Sequence, residues 1–263
     1  MEDVNNNSIG FFDSGVGGLS VLSRFKKILP NENTIYFGDT IHLPYGNKSK
    51  EELIGYAKNI LDFFNNKGVK AVVIACNTSS AQAYDSIKKL YPFPIYPIIQ
   101  CCAKGVSDMG VNRVGVFATV ATVNSGKYTQ ELTKYSSDIQ VKEMAAKNWV
   151  GIVEETGENL EQDRKNIKNE IEEMLKFRPD KIILGCTHYP YLMGEFAKYA
   201  PRELFIDPAQ IFVDYIKDDL AKKGLLNTSF ETGEEEFFVS SNPEGFVKNA
   251  ELFYKLHTLP VLI

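Results

Sequence analysis

Cysteine is scarce in this chain, four in 263 residues. That is too few for a disulfide-built scaffold, and Cys101 and Cys102 are chain neighbours, a poor geometry for pairing with each other. All four read as thiols. Long apolar runs are missing as well: no stretch reaches the roughly 18 uninterrupted apolar residues that a membrane-spanning helix needs. Met1–Asn7 is acidic and polar where a secretory signal is basic and then apolar, so the expectation is a cytoplasmic protein. A basic excess is lacking too. Lys and Arg total 29 against 34 Asp and Glu, a net charge of −5, which argues against a protein that binds nucleic acid or an anionic membrane. A small anionic substrate would need local positive potential.

What is present is ordinary globular material, 44% apolar and 24% charged, neither disordered nor collagen-like. At roughly 100–200 residues per domain the length fits one large or two small domains. Continuous apolar runs at Ile9–Phe12, Thr34–Phe37, Ala71–Ala75, Ile95–Ile99, Arg113–Phe117, Lys181–Leu184 and Glu203–Ile206 mark strands buried on both faces. Between them, Leu19–Leu29, Lys50–Asn66 and Asn159–Lys176 place apolar residues three and four apart, as helices do. Alternation of this kind predicts an α/β fold with mostly parallel sheets. Functional residues are then expected in the loops after the C-terminal ends of strands.

Three such loops stand out. Asp13-Ser14-Gly15-Val16-Gly17-Gly18 runs from a strand into a helix. It reads either as a tight turn whose glycines permit positive φ or as an anion cradle of backbone N–H groups. It matches neither G-x-G-x-x-G nor a Walker loop. Asp13 is odd beside an anion unless it handles a proton or an ammonium group. The other two loops resemble each other: Lys70–Thr78 and Asp180–His188 share a charged residue, apolar positions, a small residue, Cys, then hydroxyl, amide or imidazole groups. Each is expected to lead into a helix. The two cysteines, Cys76 and Cys186, lie 110 residues apart, as an internal repeat of one strand–loop–helix unit would put them.

A buried cysteine is usually a small hydrophobe; two in matched strand-end loops ask for more. A thiol at a helix N-terminus is expected to have its pKa lowered by the helix dipole and local N–H groups. Two thiols on opposite faces of one carbon can remove a proton from one side and return it on the other, which is racemisation. Two rivals remain open for Cys186-Thr187-His188. A metal site would have only two ligands in a short loop and no C-x-x-C partner; a Cys–His hydrolase would use His188 as the local base.

Taken together, the motifs Asp13–Gly18, Gly38-Asp39 with Pro44-Tyr45-Gly46, Ala75-Cys76-Asn77-Thr78 and Gly185-Cys186-Thr187-His188-Tyr189-Pro190 resemble those of the glutamate racemases, in the family's order. Weaker matches run through Thr119–Tyr128, Ile206-Asp207 and Val239–Phe246. That family interconverts L- and D-glutamate without a cofactor, and it binds no metal for the purpose. The resemblance implies that Cys76 takes the α-proton of D-glutamate and Cys186 that of L-glutamate, with Asp13 assisting Cys76 and His188 assisting Cys186. A carboxylate near a thiol raises its pKa, so Asp13 would serve by accepting the thiol proton. Glu154 falls near an acidic residue that the family uses around His188, although Lys147–Gly151 beside it departs from the usual pattern. Substrate contacts carry over to Asp13, Ser14, Tyr45, Gly46, Asn77, Thr78, Thr187 and His188, mostly neutral donors suited to two carboxylates.

The same resemblance implies two similar, pseudo-symmetric α/β domains with the site in the cleft between them, the halves closing on substrate. The first is placed at residues 1–98 plus 209–263 and the second at 99–208, with Tyr91–Pro94 and Asp207-Pro208 near the crossings. Family members supply D-glutamate for peptidoglycan, commonly as homodimers. Gln100–Lys104 departs from the family, and Cys101 and Cys102 read as structural or spare thiols. His42 receives no role, His257 is placed on the surface of the last helix, and Glu231–Glu236 is expected to be a solvated loop.

Overall fold

The structure, a computed structural model, describes residues 4–154 and 160–263. Its strands are β1 (Ile9–Asp13), β2 (Thr34–Gly38), β3 (Ala71–Ile74), β4 (Ile95–Pro97), β5 (Arg113–Ala118), β6 (Gln140–Ala145), β7 (Lys181–Gly185), β8 (Phe205–Ile206), β9 (Glu235–Val239) and β10 (Val261–Leu262). They form two sheets, ordered β10-β9-β2-β1-β3-β4 and β6-β5-β7-β8. Every pairing is parallel. The fold is α/β with parallel sheets, as the alternation implies.

Burial on both faces explains the strand composition. Phe11 packs edge-on against Phe25 of the helix Leu19–Ile28, ring centroids 4.9 Å apart, on one face. The next residue, Phe12, joins Ala57, Ile60, Leu61 and Phe64 of the helix Lys50–Asn66 on the other. Each such side chain taken out of water stabilises the fold by about 1.5–3 kcal/mol. The second helix starts where the sequence sets it, at a capping box in which Ser49 and Glu52 satisfy each other's backbone N–H groups. In the second sheet the helix Leu160–Leu175 lies over β5, with the sulfur of Met174 filling the space above Gly115. Asn159, the expected first residue of that helix, lies outside the described residues. One apolar cluster runs from Ile9 and Phe11 through Ile98, Cys102, Phe212 and Ile216 to Val116 and Ile183, so both sheets share a core.

Several expectations need correction. Ile98 and Ile99 belong to the helix Ile98–Ser107, not to a strand; its first turn is buried, and a continuous apolar run does not distinguish the two. Glu203 and Leu204 lie in the 3-10 turn Arg202–Leu204 before β8. Glu235 and Glu236 are in β9, paired with β2, where Glu235 accepts the Tyr254 hydroxyl at 2.8 Å and faces Lys26. His257 is exposed but sits in a bend beyond the last helix, Pro243–Ala250. All four cysteines are free and buried, Cys101 and Cys102 within the helix Ile98–Ser107. Among the described residues no helix is long and apolar enough to cross a membrane.

Candidate active site

Read in chain order, β2-β1-β3-β4 and β6-β5-β7-β8 are the same arrangement twice. In each, the chain leaves the first strand toward one edge and the third toward the other, so a crevice opens at their C-terminal ends. Register places equivalent residues there. Phe12 pairs with Ile74 and Ala118 with Gly185; following each pair outward brings Ser14 level with Cys76 and Thr119 level with Cys186. The two crevices open into one cavity of about 810 Å3. Its wall carries Asp13, Ser14, Tyr45, Gly46, Cys76, Asn77 and Thr78 from the first half and Thr119, Glu154, Cys186, Thr187 and His188 from the second.

On the Cys76 side the sulfur caps the short helix Asn77–Gln82 and accepts the Ser79 N–H at 3.5 Å. This weak contact pulls the thiol's pKa down, as a helix N-terminus leads one to expect, but it is outweighed. Burial pushes it up to about 12, with the nearby Asp13 carboxyl adding to the rise. Cys76 therefore rests as a thiol. Asp13 is itself buried, and burial raises its pKa against the pull of His188 and of the Gly15 and Gly18 backbone. Its Oδ1 accepts the Gly15 N–H at 3.1 Å, while Oδ2 is buried without a partner among the described residues. A carboxyl with a free oxygen and a raised pKa is suited to exchange a proton with a neighbouring thiol.

On the Cys186 side no α-helix follows directly; a turn leads into the 3-10 segment Tyr189–Leu192. His188 compensates. Its Nδ1 lies 3.8 Å from Cys186 Sγ and its Nε2 lies 2.8 Å from Glu154 Oε1, so the ring bridges a sulfur and a carboxylate. Burial works against the charged ring, but the Cys186 and Glu154 partners outweigh it and carry His188 up to about 10. An imidazolium held this way can hand a proton to the sulfur and take one back.

The glycines of the Asp13–Gly18 loop work by close approach. Gly15, Gly17 and Gly18 are all outside the positive-φ set. A Cβ on Gly17 would lie 2.7 Å from His188 Nδ1 and closer still to Thr187 Oγ1. Absence of a side chain lets the first half's loop rest on the second half's cysteine loop. Thr78, Thr119 and Thr122 form a triangle of hydroxyls across the same junction, at 3.0, 3.0 and 3.4 Å. Tyr45 donates its hydroxyl to Asp39 at 2.5 Å; His42 and Ser240 bond the same carboxylate, so His42 helps to anchor the turn that carries Tyr45 and Gly46.

Comparison with known proteins places this architecture. Residues 16–216 match the model of the Asp/Glu/Hydantoin racemases. The chain belongs to that family. It is 37% identical over 257 residues to a glutamate racemase of Thermoanaerobacter pseudethanolicus, covering 95% of this chain and 94% of the relative. A crystal structure of glutamate racemase from Francisella tularensis in complex with D-glutamate superposes with a TM-score of 0.88 at 33% identity, covering 98% of each chain. The glutamate racemase from Thermus thermophilus in complex with beta-chloro-D-alanine gives a TM-score of 0.85 at 32% identity, covering 98% of this chain and 97% of that one.

Within this racemase fold the cavity also holds residues that sequence reasoning passed over. Thr119 is one; its signal was available, since it follows β5 as Ser14 follows β1. Leu43, Val120, Trp149 and Gly151 line the wall as well. Lys147 is the one Lys or Arg on the wall among the described residues, and the substrate contacts expected from the sequence include no lysine or arginine. Trp149 is fully buried and donates to Glu170 at 2.6 Å, and the same carboxylate accepts the Lys147 N–H at 3.0 Å. Glu170 thus holds the start of the helix Trp149–Glu154, at whose end Glu154 meets His188. As for metals, no group of three His, Cys, Asp or Glu side chains gathers among the described residues in a way that would hold one.

Proposed function

We propose that this protein is a glutamate racemase, interconverting L- and D-glutamate by proton transfer at Cα between Cys76 and Cys186. The observation that carries this reading is the arrival of two buried sulfurs, from equivalent strand ends of two like-ordered sheets, at one cavity. The name and bound D-glutamate of the relatives supply the substrate. Cys186, paired with His188 and Glu154, takes the α-proton of L-glutamate, while Cys76 gives its thiol proton to the opposite face. In the reverse direction Cys76 is the base and Asp13 receives its proton.

Substrate recognition is assigned to Asp13, Ser14, Tyr45, Gly46, Asn77, Thr78, Thr187 and His188. Hydroxyls, amides and backbone N–H groups hold the two carboxylates, and enclosure strengthens these bonds as negative charge develops at Cα. An amino acid's α-proton is far less acidic than a thiol, and one positioned base contributes only about 10²–10⁴-fold. The remainder is assigned to desolvation as the halves close. We place the first domain at residues 1–98 plus 209–263 and the second at 99–208, so that each contains one sheet with its 2-1-3-4 core and one cysteine loop. The reading extends to a cytoplasmic homodimer that supplies D-glutamate for peptidoglycan.

The test is a polarimetric assay of purified, pyridoxal-free protein with L-glutamate and L-aspartate at equal concentration. Racemisation of glutamate with little or none of aspartate supports the reading. Preference for aspartate keeps the two-thiol chemistry and changes the substrate; tight glutamate binding without turnover makes the chain a binding protein on a racemase scaffold.

A further inference from the structure

Tyr128 lies on the helix Lys127–Thr133 of the second half and is fully buried. Its hydroxyl bonds Oδ1 of Asn77, the residue after Cys76, at 2.7 Å. Its ring packs on the other cysteine loop: a Cβ on Gly185, the residue before Cys186, would lie 3.0 Å from Tyr128 Cε2. One side chain thus touches a neighbour of each sulfur. Burial holds the phenol well above its ordinary pKa, so it stays protonated and donates. With the phenol proton donated to Oδ1, the amide oxygen sits on the phenol side. The other end of the amide, Nδ2, is buried with no hydrogen-bond partner among the described residues, and Asn77 stands on the cavity wall.

We propose that Tyr128 is a positioning residue for the reaction: its hydroxyl locks the Asn77 amide with oxygen turned away and N–H kept for a substrate carboxylate, and its ring sets the spacing of the two cysteine loops. The proposal rests on the reading of the cavity as a two-thiol racemase site. Without the phenol, the amide loses the contact that distinguishes its two orientations. One of them turns a carbonyl oxygen toward the substrate's negative charge, and the other leaves the oxygen buried and unpaired.

The experiment compares wild type with Tyr128→Phe, Asn77→Ala and the double variant, measuring kcat, KM and thermal unfolding. Tyr128→Phe keeps the ring against Gly185 and removes only the hydroxyl. A raised KM and a loss in kcat/KM of about 10–100-fold, the size expected when a buried polar group is left without its hydrogen-bond partner, are the predicted result for Tyr128→Phe. In the Asn77→Ala background the same change should add almost nothing, since its target is gone. Unchanged KM and kcat in folded Tyr128→Phe overturns the proposal, as does a double variant whose loss is the product of the two single losses. Calorimetric titration with L-glutamate separates this test from the activity itself. If wild type binds glutamate without racemising it, the racemase reading falls, and weaker binding to Tyr128→Phe still supports the lock while equal binding removes it.

Discussion

Cys76 and Cys186 leave their sheets at the same strand position, yet Cys76 caps a helix beside a carboxyl while Cys186 stands in a turn beside an imidazole. The substitutions between the repeats account for the contrast. Asp13 falls level with Ala118 in the second half, and His188 takes the place of Thr78. The scaffold repeats and the proton-handling groups do not. That division suits a reaction whose two substrates are mirror images, because a single chiral cavity presents different surroundings to each face of Cα. On one side a protonated thiol waits with a carboxyl of raised pKa; on the other a charged imidazole sits between sulfur and carboxylate.

The largest effects should come from the sulfurs. Cys76→Ser and Cys186→Ser should each lower racemisation by about 10²–10⁴-fold, the contribution of one positioned base, as read by polarimetry. Equal activity in either variant would end the pairing of the two loops as partners. Next come the groups that separate the halves. Asp13→Asn should slow proton removal from D-glutamate more than from L-glutamate, by about 10-fold or more, in the range assigned to general acid–base groups. The check is the primary isotope effect with α-deuterated D-glutamate, which should rise in Asp13→Asn, whereas His188→Asn should raise the effect for the L enantiomer.

A smaller effect concerns pH. Glu154 helps to raise His188 to about 10, so Glu154→Gln should lower that value and move the alkaline limb of the kcat/KM profile toward neutral pH. A limb that stays in place would detach Glu154 from the site's protonation. The same shift bears on stability. A raised histidine pKa means that the folded state holds the proton more tightly. Its stabilisation is complete below about pH 6.5 and lost as pH rises through about 10. Thermal unfolding of wild type should therefore fall over that window more steeply than that of His188→Asn. The smallest effect belongs to Lys147→Met. Removing the wall's lysine should lower kcat/KM by about two- to five-fold at low salt and flatten its dependence on ionic strength, as expected for a charge that steers an anion.

The parts of this picture visible in the sequence are those carried by local patterns. Ala71–Ile74 and Lys181–Gly185 announce themselves because strands buried on both faces are continuously apolar, and the matched Cys-led loops follow directly. β6 and β9 are not legible in the sequence because Gln140–Ala145 is only half-buried and Glu235–Glu236 opens its strand with two charges, so neither shows an apolar run. The pKa of Cys76 departs from the sequence expectation for a related reason: the helix end is local and legible, while the burial that overrides it is tertiary. Contacts such as Tyr128 with Asn77 or His188 with Glu154 join distant segments, and no spacing rule reports them.

The most direct test of the account is incubation with L-glutamate in D2O, following optical rotation and α-deuterium together in wild type, Cys76→Ser and Cys186→Ser. Two thiols acting on opposite faces predict solvent deuterium in the D-glutamate formed by wild type and loss of racemisation in both variants. Racemisation at an undiminished rate in either variant, or D-glutamate that keeps the original α-hydrogen, would contradict it.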